Sequence, residues 1–135
     1  MTTNAEPFRA DRLQASLTVK DVQASLTWYR DVVGFTVDQM YDREGQLRSV
    51  SLKAGDVRIL INQDDGKRGW DRVKGEGFSF MLTTGQSIDG IAQRIRGNGG
   101  SLETEPADMP WGVRMFGLVD PDGYRFAIST ERPAA

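Results

Sequence analysis

The chain has 135 residues, 39% of them hydrophobic and 27% charged, and its 17 Lys and Arg against 19 Asp and Glu give a formal net charge of −2. There is no Cys and no His, which excludes disulfides, thiolate chemistry, Ser-His-Asp and Cys-His catalysis, and imidazole metal sites. Any metal would rest on oxygen ligands, and acid–base chemistry near neutral pH would fall to a carboxylate, lysine or tyrosine.

The length suits a single domain, since compact domains most often run ~100–150 residues. An acidic balance without a broad basic face gives no basis for a nucleic-acid partner. No apolar run approaches the ~20 residues of a membrane-crossing helix, so no membrane partner is expected. The opening MTTNAEPFRADR lacks the apolar centre of a signal peptide, and a cytoplasmic location is expected.

Residues 1–12 are expected to be a flexible N-terminus. From there, LQASLTVK (13–20) alternates apolar and polar side chains, the period-two pattern of a strand. Asp21 is placed to cap a helix in which Val22, Leu26, Tyr29 and Val33 recur at helical spacing, and Gly34 is placed to end it. Strand-like runs follow at 35–41, 47–53 and 57–62, separated by the turn sequences DREG and AGD. A polar stretch, 63–76, reads as a solvated mixed-charge linker: Lys67, Arg68, Arg72 and Lys74 alternate with Asp64, Asp65, Asp71 and Glu76.

The same pattern then repeats. GFSFMLT (77–83) reads as a strand, and Ser87 as the cap of a helix with Ile88, Ile91, Ala92 and Ile95 on one face, stopped by Asn98-Gly99-Gly100. Strands are predicted at 101–105, 113–119 and 124–130, the last two joined by Asp120-Pro121-Asp122-Gly123. The loop 106–112 and the C-terminal residues 131–135 are expected to be mobile. The predicted fold class is α+β: two tandem β-α-β-β-β modules, about 13–62 and 77–130, forming a curved mixed sheet around a concave cleft. Neither the Asp-Asp-Gly at 64–66 nor the Asp-Pro-Asp-Gly turn has the ligand spacing of a calcium loop, and Gly66-Lys67-Arg68-Gly69 lacks that of a phosphate loop.

One helix per module covers one sheet face. Ile59 and Ile61 are assigned to the covered face and Arg58, Leu60 and Asn62 to the open one. In the second half the open face is predicted to carry Phe78, Phe80 and Leu82, apolar surface that another half, a second subunit or a ligand must cover.

The stretch LQASLTVKDVQASLTWYRDVVGF (13–35), together with GLVDPDGYRFAI (117–128), resembles the opening and closing elements of the vicinal oxygen chelate superfamily, the glyoxalase, bleomycin-resistance and extradiol-dioxygenase group. The resemblance spans about residues 13–130. It implies paired modules around a U-shaped cavity, usually in a homodimer, with metal ligands in some members on the first and fourth strands of each module. Carried over position by position, those ligands fall on Gln14, Leu60, Phe78 and Ala127. Of these only Gln14 offers a ligating atom, so no metal and no other cofactor is expected.

The resulting expectation is a metal-free protein that holds a small hydrophobic or aromatic molecule, in the manner of antibiotic sequestration. Leu60, Phe78, Phe80, Leu82, Trp111 and Phe116 are predicted to form an apolar groove, with Gln14, Ser49, Ser51, Arg58, Asn62 and Arg114 as its polar contacts. The alternative is a lyase, isomerase or dioxygenase-like enzyme with an atypical site, for which Tyr41, Tyr124, Glu103, Glu105 and Asp108 are the candidate acid–base groups.

Overall fold

The protein is described by a computed structural model over residues 6–131; the outermost parts of both predicted flexible ends, 1–5 and 132–135, lie outside the described residues. Strand β1 (Gln14–Val19) buries Leu17 and Val19 and turns Gln14 and Ser16 outward. Asp21 caps helix α1 (Val22–Thr27) by accepting from the backbone N–H groups of Gln23 and Ala24, which satisfies donors that a helix start leaves open. The helix continues as one π-helical segment, Trp28–Val33. It ends where the N–H groups of Gly34 and Phe35 both reach the Tyr29 carbonyl, at 3.0 and 2.8 Å, with Gly34 at φ +107°, a conformation suited to glycine.

Strands β2 (Thr36–Arg43), β3 (Gln46–Ala54) and β4 (Val57–Gln63) follow as hairpins. They form a mixed sheet in the order β1-β4-β3-β2, with β1 parallel to β4. The second module repeats the plan: β5 (Ser79–Thr83), α2 (Ile88–Gly97), β6 (Thr104–Asp108), β7 (Arg114–Val119) and β8 (Arg125–Ser129). Its order is β5-β8-β7-β6, with β5 parallel to β8. The architecture is therefore α+β, with two four-stranded mixed sheets. Among the described residues no helix is long and apolar enough to cross a membrane.

Edge strand β6 begins three residues later than predicted and takes in Pro106, which an edge tolerates because its N–H side needs no ladder partner. Residues 106–108 thus belong to a strand, not to the expected mobile loop. Gly117 faces β6 across the ladder; a Cβ there would come within 2.8 Å of Thr104 Oγ1.

A single apolar core runs through both modules. It takes Val22, Leu26, Val50, Leu52, Ile59 and Ile61 from the first module and Ile88, Ala92, Ile95, Phe116, Leu118, Phe126 and Ile128 from the second. Tyr29 joins the two, with its ring edge-on to Phe35 at 5.6 Å and to Phe126 at 5.7 Å. Phe80 stacks on Phe126 at 4.8 Å. Such aromatic pairs add ~0.5–1.5 kcal/mol each to the burial of their surface.

Three predicted groove residues therefore belong elsewhere. Phe80 and Leu82 pack against the core and Phe116 is fully buried within it. The alternation in β5 sends its large apolar residues inward, and Ser79, Met81 and Thr83 occupy the open face. The strand register is one residue away from the predicted one, because burying the phenylalanine and leucine is worth more than burying the residues between them.

Candidate functional site

The open face of the first module is polar. Ladder partners Ser16 and Leu60, Thr18 and Asn62, Gln14 and Arg58 lie along β1 and β4, with Ser49 and Ser51 opposite Asn62 and Leu60 on β3. A depression of about 490 Å³ on this face is lined by Arg12, Gln14, Asp38, Tyr41, Ser49, Ser51, Arg58 and Leu60, from the first module and the residue just ahead of it.

Two hydrogen-bonded groups organise it. Asn62 donates through Nδ2 to the Leu17 carbonyl at 3.3 Å and to Ser16 Oγ at 2.9 Å, and accepts the Ser49 hydroxyl at 2.8 Å. The Leu17 carbonyl only accepts, so it fixes which way the Asn62 amide points. Ser49 then turns lone pairs to the depression, and Ser16 keeps its own O–H to donate. In the second group, Arg58 Nη1 donates to Asp38 Oδ2 at 2.6 Å, and the Ser51 hydroxyl approaches the same oxygen at 3.4 Å. Asp38 reaches them at a break in the β2–β3 register between Val37 and Gln39, a bulge of the kind that re-aims a side chain.

Of the sequence-predicted contacts, Gln14, Ser49, Ser51, Arg58 and Leu60 come together here, and Asn62 adjoins them through Ser49. The remaining ones do not. Phe78 is half exposed just before β5, edge-on to Phe80 at 4.8 Å, and Trp111 is half exposed in the loop before β7. Arg114 spans the second module instead, with paired bonds of 2.8 Å to Asp89 of α2 and one of 3.1 Å to Asp108. These bonds hold the Asp89 carboxyl below its usual range and raise the guanidinium further.

Arg12 and Asp38 were not singled out by the sequence. Arg12 lies ahead of the first strand, and Asp38 reaches the face only through the bulge.

The candidate acid–base groups of the enzyme alternative are mostly committed to other partners. Glu103 pairs with Arg125 at 3.3 Å, Glu105 with Arg96, and Asp108 with Arg114. The Tyr124 hydroxyl donates to the Thr18 carbonyl at 2.9 Å. Tyr41 does line the depression and donates to Gln39 Oε1 at 3.1 Å.

The linker is less solvated than its composition indicates. Lys74 is nearly buried, with Nζ 3.2 Å from Asp64 and 3.4 Å from Asp122, both nearly buried themselves. It ties the inter-module segment to the turn between β7 and β8. A backbone bond from Gly66, followed by Lys74 and Arg72, holds the Asp64 carboxyl below its usual range against the cost of burial.

The resemblance places metal ligands on the first and fourth strands of each module. With the observed register, the second module's first-strand position is Ser79 rather than Phe78, since Ser79 pairs with Arg125 as Gln14 pairs with Arg58. The set becomes Gln14, Leu60, Ser79 and Ala127. Leu60 and Ala127 have no lone pair, and the other two offer only neutral oxygens, so these side chains do not fit a divalent ion that needs several charged or carbonyl oxygens. Among the described residues, no group of three or more Asp and Glu converges as a metal site.

Comparisons with known proteins agree with this architecture. The family profile described as Glyoxalase/Bleomycin resistance protein/Dioxygenase superfamily matches residues 11–128. A probable lactoylglutathione lyase from a Synechocystis species is 26% identical over 122 residues, covering 86% of this chain and 92% of its own. Among solved structures, TioX from Micromonospora sp. ML1 aligns with a TM-score of 0.72 at 17% identity, over 90% of this chain and 98% of its own. A lactoylglutathione lyase from Agrobacterium tumefaciens aligns at 0.66 with 18% identity, over 90% and 94%. At those identities the two structures speak for the fold alone.

Proposed function

Because the chain belongs to the glyoxalase, bleomycin-resistance and dioxygenase superfamily, we propose that it is a member that binds a small organic molecule on the open face of its first module without a metal. One observation carries this reading: Leu60 and Ala127 occupy the fourth-strand positions of the two modules, and the face around Leu60 offers hydrogen-bonding groups in place of metal ligands. A mostly open sheet face with one apolar side chain and directed polar groups suits a ligand that lays a planar or apolar part on Leu60 and meets Ser49, Ser16 and Gln14 at its edge. Sequestration of an antibiotic-like aromatic compound is the corresponding biological role.

A homodimer belongs to the same reading. The depression is walled by one module only, while the second module leaves Met81, on its own open face, 63% exposed. A second copy that laid this face over the first module would enclose the ligand and cover the methionine.

The reading is tested by amide NMR on isotope-labelled protein with a panel of planar aromatic compounds and antibiotics. Shifts concentrated at Gln14, Ser49, Leu60 and Asn62, and abolished by Leu60→Arg, are expected. Binding that maps only to the second module or to the linker would overturn it.

A second reading follows from the Synechocystis relative: a lyase of the same superfamily with an atypical site. Asp38 is the carboxylate lining the depression, so lyase turnover that disappears in Asp38→Asn would favour it.

A further inference from the structure

Resting on the binding reading above, we propose that the ligand carries an oxyanion, a carboxylate or a phosphate, which docks at the Arg12–Arg58 end of the first module's open face. Three observations converge there.

The first is the charge of the lining: two guanidinium groups, Arg12 and Arg58, face a single carboxylate, Asp38. Among the described residues Arg12 is in no ion pair, and Arg58 is in one, with Asp38.

The second is unused donor capacity. Arg58 is nearly three-quarters shielded, its side chain 27% exposed. Its planar fork has five N–H donors, yet only Nη1 reaches a protein acceptor among the described residues. Asp38 fixes the guanidinium in place while leaving its remaining edge to an incoming group. Paired N–H donors in a plane match the geometry of a carboxylate or phosphate, and such charge-assisted bonds are the strong ones.

The third is a like-charge pair. Arg58 and Lys53 are direct ladder partners across β4 and β3, an arrangement that costs stability when nothing intervenes. Asp38 offsets the Arg58 charge, and Lys53 sets a further cation on the neighbouring strand. An anion placed there relieves the repulsion as it binds.

The opposite end of the face has the other polarity. Ser49, whose hydroxyl is spent on Asn62, presents acceptor lone pairs. The favoured ligand thus has an oxyanion at one end and a hydroxyl or amine donor at the other, with its body over Leu60.

The test uses naphthoate, naphthyl phosphate and the neutral naphthamide, titrated into labelled full-length protein and followed at the amides of Gln14, Ser49 and Arg58. At neutral pH and low salt an anion should bind about tenfold more tightly than naphthamide, the scale of a charge-assisted bond. Arg58→Gln should bring that ratio close to one, and Arg58→Lys should keep part of it. In the wild-type protein the ratio should also collapse at about 1 M salt, where the screening length is ~3 Å, which tests the proposal independently of how well any variant folds. Whether naphthoate or naphthyl phosphate binds better identifies the oxyanion. Equal affinities of naphthamide and both anions at this face overturn the oxyanion proposal and leave the binding reading standing. If no probe perturbs these amides, both fail.

Discussion

The phenol of Tyr29, in the first module's helix, donates a 2.7 Å hydrogen bond to Asp120, in the second module's last turn, and both groups are buried. The same carboxylate accepts the backbone N–H groups of Asp122 and Tyr124 through its other oxygen, at 2.9 and 2.8 Å. Burial raises the Asp120 carboxyl above its usual range, and these three donors work against that rise. Burial followed by the nearby Asp120 charge also raises the Tyr29 phenol strongly, so it stays protonated and available as a donor. One link between the modules is thus a buried acid whose ionised form three donors favour.

Tyr29→Phe should therefore destabilise the protein at neutral pH by about 1–3 kcal/mol, the cost of a buried acceptor left without its partner. Losing a bond that favours the ionised form pushes the folded-state Asp120 carboxyl higher still. The variant's folded state then takes up a proton more readily than wild type, and its deficit should shrink as pH falls through that raised range. Urea denaturation at neutral and mildly acidic pH checks this. A deficit that grew on acidification would contradict the assigned role of the hydroxyl.

Lys74 and Lys67 provide a matched pair within the linker. Lys74 lies nearly buried between Asp64 and Asp122, whereas Lys67 is exposed at 4.0 Å from Asp65. Lys74→Met leaves two shielded carboxylates without their shared cation, so its melting midpoint should fall well below that of Lys67→Met, which should stay near wild type. Equal midpoints would mean that the linker is not pinned through Lys74.

At the candidate site, Asn62→Ala should separate binding from stability. Asn62 lies on the open face, and its loss releases the Ser49 and Ser16 hydroxyls to rotate. Stability should change by no more than ~1 kcal/mol, while affinity for a ligand mapped to this face should fall several-fold. Thermal melts and NMR titration of the variant read the two effects separately.

Leu17, Ile59 and Ile61 show why the first module was legible in the sequence. Its strands alternate apolar and polar residues, so the buried face, and with it Gln14, Arg58, Leu60 and Asn62 on the other, followed from period two alone. In β5 the alternation sets phenylalanine and leucine against serine, methionine and threonine, and either face could be mistaken for the open one until Phe126 is seen stacked on Phe80. Asp38 was hidden for a different reason: it depends on a bulge that no residue in VDQ announces. The roles of Asp120, Asp122 and Lys74 were hidden because a turn sequence does not reveal what packs over it.

The most direct test is equilibrium dialysis of the chelator-treated protein against manganese, nickel and zinc, followed by elemental mass spectrometry, with Gln14→Ala alongside. With Leu60 and Ala127 in the ligand positions, bound metal should stay far below one ion per chain, with no difference between wild type and variant. One ion per chain, lost in Gln14→Ala, would contradict the metal-free reading.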